Sequence, residues 1–405
     1  MTAKEGDKFL TFALDRSSGK ELWRRELQRL RTTDMYHDTD SSSATPATDG
    51  QNVYAFFQEV GVVSYDADGR ERWRHDPGPF RNFYGVAASP VIVADTLVLV
   101  CDQVRGSFIL GLDTETGEER WRSARPGRIE SYATPVTWSG ADGVPVVLVL
   151  GSRWIDAYDP VSGRTAWSMS GVGVSPVASP TLDGDLLFVT APDHAETPQE
   201  PFSKLLAQYD SDANTFLSRE EVSETWMKNH FGFIDMSGDG VIGEDDWEQM
   251  GQEFDSEAFG IYGIRLGSRE PEILWNVRQS IPYIPSPLAY RDVVYVVKDS
   301  ILTSLDSTSG EVLKRGRLGK EGAKIYASPV AADGQIYLAT VDGTVHVVDA
   351  GPEWEILASN DLGDEIFATP VIVDDRLLVR TRERLFSFRL DEVGPGAQAD
   401  ASSSP

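Results

Sequence analysis

Leu112-Asp113-Thr114-Glu115-Thr116-Gly117-Glu118-Glu119-Arg120-Trp121 reads as the end of one strand, a tight turn, and a second strand that carries a tryptophan. An aspartate accepts hydrogen bonds from backbone amides two or three residues on, and a glycine takes positive φ without penalty. Together they close a short hairpin. The pattern recurs as Leu14-Asp15 to Gly19 to Trp23, Tyr65-Asp66 to Gly69 to Trp73, and Tyr158-Asp159 to Gly163 to Trp167. Further on it decays. Leu305-Asp306 to Gly310 ends in Lys314, a fifth copy keeps Gly263-Ile264 and Trp275, and Val348-Asp349 is followed by Gly351 with its tryptophan displaced to Trp354. Each tryptophan offers a large apolar area, enough to anchor one repeat unit against the next.

A second marker sets the period. Ser/Thr-Pro pairs, each followed by an apolar run, stand at Thr45-Pro46, Ser89-Pro90, Thr134-Pro135, Ser179-Pro180, Ser286-Pro287, Ser328-Pro329 and Thr369-Pro370. Their spacings are 44, 45, 45, 107, 42 and 41 residues. Each pair opens a strand, a turn such as Asp183-Gly184 or Asp333-Gly334 follows, and a second β-rich strand precedes the tryptophan hairpin. Four short strands per unit, repeated in sequence, specify an all-β propeller whose blades cannot cover their apolar faces alone and must stack in a ring. A sandwich array would need longer domains and a β-helix much shorter repeats. The chain opens inside a unit, with a tryptophan hairpin at 9–27, and closes with a three-strand unit at 367–390. Joining these ends gives seven blades with a duplicated strand, or eight with some N-terminal strands absent. Eight is the reading adopted, and it expects a chain that starts late, with a leader and first strands upstream.

The 405 residues carry 64 acidic and 37 basic side chains, a formal charge of −27. That balance argues against nucleic acid and anionic membrane surfaces, which reward a basic footprint. A 40% hydrophobic content with ten tryptophans supports a sizeable core. Cys101 is the single cysteine, so an intrachain disulfide, a vicinal thiol pair, a CxxCH haem site and a cysteine zinc cluster are all excluded. No apolar run approaches the ~18 residues of a membrane span, and the polar first eight residues hold no signal peptide. The last stretch, 393–405, is a Gly/Ala/Ser/Pro tail with no pattern and reads as disordered.

The long gap between Ser179 and Ser286 contains an insertion at 192–258, between propeller segments 1–191 and 259–392. It carries 17 acids against three bases, a net of −14, and its Phe202, Leu205, Leu206 and Tyr209 recur at helical steps. Two twelve-residue loops in it have the spacing of calcium ligands. In Asp235-Met-Ser237-Gly-Asp239-Gly240-Val241-Ile242-Gly243-Glu-Asp-Asp246, oxygen donors stand at positions 1, 3 and 5, a glycine at 6, a backbone carbonyl (Val241) at 7 and a carboxylate at 12. A hard cation takes six to eight oxygens, so one tight loop must fold them all inward. Asp246 is shorter than the usual glutamate, which weakens bidentate ligation and opens this loop to Mg²⁺ as well as Ca²⁺. In the first loop, Asp210, Asp212, Asn214, the Phe216 carbonyl, Ser218 and Glu221 fill the ligand positions, while β-branched Thr215 occupies the position that needs positive φ. A helical stretch at 219–233 is expected between the loops, and Ile242 is expected to pair with its equivalent in the first loop. The plainer alternative for both loops is a set of helix connectors with solvated acids.

With both features in place, the sequence resembles bacterial proteins built from pyrroloquinoline-quinone-like (PQQ-like) β-propeller repeats, over about residues 9–191 and 259–390. The motifs that carry the resemblance are the Asp–Gly–Trp hairpins and the Ser/Thr-Pro openings. It implies an eight-bladed ring, a tryptophan hairpin docking adjacent blades, and a periplasmic or secreted setting, with a cytoplasmic one left open by the missing leader. The same repeat occurs in quinoprotein dehydrogenases and in an outer-membrane assembly lipoprotein. The dehydrogenases hold PQQ beneath a vicinal disulfide, which a lone Cys101 cannot form, and no Glu/Asn/Asp set maps onto their calcium–PQQ site. PQQ is therefore not expected.

Aromatic residues precede several strand openings: Tyr84, Tyr132, Tyr283, Tyr326 and Phe367. They are expected to gather at one mouth of the central channel, as a platform for a ligand or as packing between blades. Tyr36-His37-Asp38-Thr39-Asp40 is a further channel-mouth tract or a plain polar loop, and the five histidines show no metal spacing. No Walker loop, GxSxG elbow or HExxH motif is present. The functional expectation is a non-catalytic, monomeric propeller that binds a protein or polymeric partner and carries a calcium-binding EF-hand pair. A PQQ-dependent oxidoreductase and an envelope assembly scaffold are the alternatives.

Overall fold

The computed structural model describes residues 1–32, 41–82, 84–173, 175–192, 200–254, 258–267 and 270–389. The C-terminal tail and the 36–40 tract lie outside the described residues. Eight antiparallel sheets follow one another along the chain as the blades of a propeller, and a ninth, two-stranded sheet belongs to the insertion. Blades 2 to 7 each have four strands in simple up-and-down order, as in Val91–Val93, Thr96–Cys101, Phe108–Asp113 and Glu119–Ala124 of blade 3. Blade 1 has three strands ending in its tryptophan hairpin, and blade 8 has three beginning at Val371–Val373. The two meet where the Arg380 Nη1 donates to the Thr2 carbonyl at 3.2 Å and Arg16 pairs with Asp374 at 2.6 Å.

Alternation along the second strand of each blade builds the core. In Thr96–Cys101, Leu97, Leu99 and Cys101 pack toward blade 2, whereas Val98 and Val100 pack against Val147 and Val149 of blade 4. Every residue of that strand is buried, as expected for a sheet covered on both faces. The tryptophan hairpins work as anticipated between blades. Trp23, Trp73, Trp121 and Trp275 each donate Nε1–H to a carbonyl in the Asp-to-Gly turn of the next blade, at 2.9–3.0 Å. Lys314 of blade 6 has no ring to offer. Instead, Trp354 comes back from the blade 7 turn, with the Lys314 ammonium 5.0 Å from its ring centroid and donating to its carbonyl at 2.6 Å.

The Ser/Thr-Pro openings begin the innermost strands and form a continuous ladder. The backbone N–H of Thr45 donates to the Ser89 hydroxyl, Ser89 to Thr134, Thr134 to Ser179, Ser179 to Ser286, Ser286 to Ser328, and Ser328 to Thr369, all at 2.9–3.1 Å. One hydroxyl per blade thus ties each innermost strand to the one before it.

Candidate functional site

The insertion leaves blade 5 between its second and third strands, Leu186–Ala191 and Gly260–Arg265, which stay paired up to Ala191 opposite Gly260. It contains three helices, Phe202–Tyr209, Met227–Ile234 and Glu244–Phe254, around a small core that includes Phe202, Leu217, Phe231, Ile242 and Trp247. The helix expected over 219–233 is shorter than that. Residues 219–226 run as turns, with Ser223 donating to the Glu220 carbonyl and Thr225 to that of Val222. Val222, Ser223 and Thr225 are poor helix formers, and the Thr225 hydroxyl bonds back to the Val222 carbonyl at 2.8 Å.

Each loop begins where a helix ends. The Asp210 N–H closes the first helix onto Leu206, and the Asp235 N–H closes the second onto Phe231. The loops then pair as two short strands, Leu217–Ser218 and Val241–Ile242, with Leu217 opposite Ile242 and Ser218 opposite Val241. Gly240 takes φ +93° at the sharp turn of the second loop, and Thr215 is held at φ +69° at the same place in the first. A β-branched residue there carries backbone strain on the order of 1–3 kcal/mol.

Backbone amides turn the acidic side chains inward. Asp210 accepts from the Asn214 and Thr215 amides at 3.1 and 2.9 Å, and Glu221 from those of Ser211 and Ser218 at 2.8 and 2.9 Å. Those bonds, with the two serine hydroxyls, hold the Glu221 carboxyl down to about 2. In the second loop, Asp235 accepts from Gly238 and Gly240, and Asp246 from Ser237 and Gly243. One carboxylate oxygen each from Asp210, Asp212 and Glu221 lies within 4.8 Å of the others, and the same holds for Asp235, Asp239 and Asp246. The loops differ in burial: Asp235 is 4% and Asp246 5% exposed, whereas Asp212 stands open to solvent. Ser237 donates to both Asp235 and Asp246, while Ser218 is engaged with Glu221. Phe216 precedes the first of the paired strands, Val241 opens the second, and Phe216 packs over Gly243. Asn214 takes the Phe216 amide at 2.8 Å. Oxygen-only donors with three carboxylates per loop suit a hard divalent cation.

The second loop is recessed because it rests on the propeller. Ile129, from the connection between blades 3 and 4, completes the hydrophobic core of the insertion. Arg105, between the second and third strands of blade 3, donates to the Asp235 carbonyl at 3.5 Å. Arg125, Arg128, Asp102 and Asp156 brace the Ile129 segment from below. Arg125 grips Asp102 through Nε and Nη2 at 2.6 and 3.0 Å and reaches Asp156 and the Tyr158 hydroxyl through Nη1, with its side chain fully buried. The sequence reading missed this docking. Its one signal is Ile129, an isolated apolar residue in Arg125-Pro-Gly-Arg-Ile-Glu130.

The five aromatic residues fall into two groups on the blade connections. Tyr84 and Tyr132 meet edge to face with centroids 5.6 Å apart, and Tyr283 lies near enough to act on the Tyr132 hydroxyl. Tyr326 and Phe367 stack at 6.2 Å. Tyr84, Tyr283 and Phe367 remain 38–48% exposed, while Tyr132 is buried and bonded to Glu130. Burial pushes the Tyr283 hydroxyl up to about 12. Cys101 is single and buried, and among the described residues the groups of three acidic, histidine or cysteine side chains able to meet at one ion lie in the insertion. No helix among the described residues is long and apolar enough to cross a membrane.

Fold and site define an eight-bladed propeller with an acidic helix-loop-helix pair mounted on one face. The chain belongs to the family described as outer membrane protein assembly factor BamB, a PQQ-like propeller family that it matches over residues 58–194 and 266–402. Among solved structures it is similar to BamB from Moraxella catarrhalis, at 15% identity and TM-score 0.58 over 96% of this chain and 92% of that one. It is also similar to a europium-containing methanol dehydrogenase, at 10% identity and TM-score 0.54 over 93% and 81%. A quinohemoprotein alcohol dehydrogenase from Pseudomonas putida HK5 follows, at 12% identity and TM-score 0.52 over 93% and 68%. At these identities the likeness is one of fold. Among curated proteins, none matches the sequence.

Proposed function

We propose that the protein is a non-catalytic scaffold of the bacterial envelope, a monomeric propeller that holds a protein or polymeric partner at its aromatic mouth and carries a calcium-loaded EF-hand pair. The observation that carries the calcium reading is the paired-loop geometry: two carboxylate triads, each converging within 4.8 Å, joined back to back through Leu217 and Ile242. Asp210, Asp212, Asn214, Ser218 and Glu221, with the Phe216 carbonyl, would hold one ion. Asp235, Ser237, Asp239 and Asp246, with the Val241 carbonyl, would hold the other, where the short Asp246 also admits Mg²⁺. Bound calcium supplies charge neutralisation that locks the acidic insertion in one arrangement.

Membership of the BamB family and the envelope setting its description names support the scaffold reading. So do the exposed aromatic rings of Tyr84, Tyr283 and Phe367 on the blade connections. Calorimetric titration of the full chain tests the metal: two calcium sites are expected, with one lost in Asp235→Ala and the other in Asp210→Ala. Heats that are absent, or unchanged in both variants, refute it. For the partner, Tyr283→Ala with Tyr326→Ala should abolish retention of a specific envelope component, and undiminished retention would move the binding surface elsewhere.

A further inference from the structure

The second cation loop does not face solvent on all sides. A Cβ placed on Gly238, the fourth residue of that loop, would lie 2.7 and 2.8 Å from the two Nη atoms of Arg105 and 2.9 Å from Nη1 of Arg81. Two guanidinium groups from two different propeller loops therefore lie against the backbone of the turn that carries Asp235, Asp239 and Asp246. Gly238 itself sits at φ +68°, a conformation glycine takes without penalty, and the arginines leave no room for a side chain there. In the first loop the corresponding fourth position is Ala213, at φ +57°.

We infer that Arg81 and Arg105 set the cation affinity of the second loop and make its occupancy a property the propeller senses. The inference rests on the calcium reading above. Without a cation, the two positive charges offset the loop's three carboxylates and favour the docked insertion. A divalent ion entering the triad meets these same charges and is repelled by them, so binding is weakened by the arginines. By linkage, binding weakens the arginine contact to the same extent. Arg81 is exposed and Arg105 half-buried, so salt reaches the contact and screens the coupling. Ile129 stays in the insertion's core throughout and keeps the released loop close to the 125–132 connection that leads to Tyr132. The two loops are thereby unequal: the first binds independently of the propeller, and the second reports to it.

The test uses the full chain carrying Asp210→Ala, so that calcium binding reads the second loop, with and without Arg81→Gln and Arg105→Gln together. At low salt the arginine variant should bind calcium more tightly, on the order of threefold to thirtyfold for two removed charges. The gain should shrink at high salt. Near-ultraviolet circular dichroism checks that the fold is kept, and calcium should speed amide exchange at 103–106 only where the arginines are present. Equal or weaker binding in the arginine variant overturns the inference while leaving the calcium reading intact. No binding by either protein, at any salt, overturns both. Binding that appears only once the arginines are removed supports the inference in its strongest form.

Discussion

Arg125 anchors the connection between blades 3 and 4 on which the insertion rests. It is a fully buried cation whose partners, Asp102 and Asp156, are also fully buried, and Ser131 and Ser168 fill remaining acceptor sites at 2.7 and 2.6 Å. Removing one member of such a cluster strands the others, so Arg125→Ala should cost about 3–5 kcal/mol in urea unfolding. Arg125→Lys should recover only part, because an ammonium cannot form the two-pronged contact with Asp102. Like His75, His346 contributes a pH dependence. Burial lowers its imidazole below the ordinary 6.5, and its Nδ1 shares a hydrogen with the Ser359 hydroxyl at 2.8 Å. The folded state thus resists a proton that the unfolded chain accepts, so the contribution is present above about 6.5 and is lost as pH falls below it. The melting temperature should drop between pH 7.5 and 5.5, and His346→Gln should flatten that slope.

At the scale of the element, the tryptophan hairpin was legible because its Asp, Gly and Trp each have a local reason. The sequence gives a turn-forming role to Gly163, which the structure extends: a Cβ there would lie 2.3 Å from the Trp121 ring of the preceding blade. Glycine is needed both for φ +68° and for a neighbour that sequence spacing cannot show. Gly163→Ala should therefore destabilise by more than the roughly 1 kcal/mol of a strained turn. Trp121→Ala, which empties a buried inter-blade site, should cost about 3–5 kcal/mol. Trp121→Phe, which keeps most of the area but loses the bond to the Pro160 carbonyl, should cost about 1–2 kcal/mol. Urea midpoints of the three variants give the order. The Ser/Thr before each proline was legible as a marker but not as a part. Its hydroxyl partner lies 41 to 107 residues away, and only the closed ring brings the two together. The helix expected over 219–233 is cut short for the opposite reason: the spacing of the two loops leaves room for it, but from Val222 to Thr225 side-chain chemistry competes with the helix.

For the whole molecule, repeat period and charge decided the architecture, and docking was what they left out. The formal charge of −27 divides into −14 on the insertion and −13 on the rest. Periodicity could place the insertion in blade 5, because Leu186–Thr190 reads as the second strand of that unit and Gly263-Ile264 with Trp275 as its hairpin. It could not show the insertion settling on the blade 3 loops, since nothing in the spacing links Arg105 or Ile129 to Gly238. This arrangement makes a prediction about autonomy. Ala191 and Gly260 are the last paired residues at the base of the insertion, so the blade 5 ladder is complete without it, and the bond from the Gly173 amide to the Ala258 carbonyl at 2.7 Å is the one the ring gives up. Replacing residues 192–259 by an Asn-Gly turn should leave an intact propeller. The principal loss is the cover over Ile129, worth about 1.5–3 kcal/mol, which in a chain of this size lowers melting by only a few degrees. The shortened protein should melt at the same temperature in calcium and in chelator, whereas the parent should melt higher in calcium. Loss of the β-sheet circular dichroism signal on shortening would mean that the ring needs its insertion to fold, and that calcium acts on the whole propeller instead of on one face.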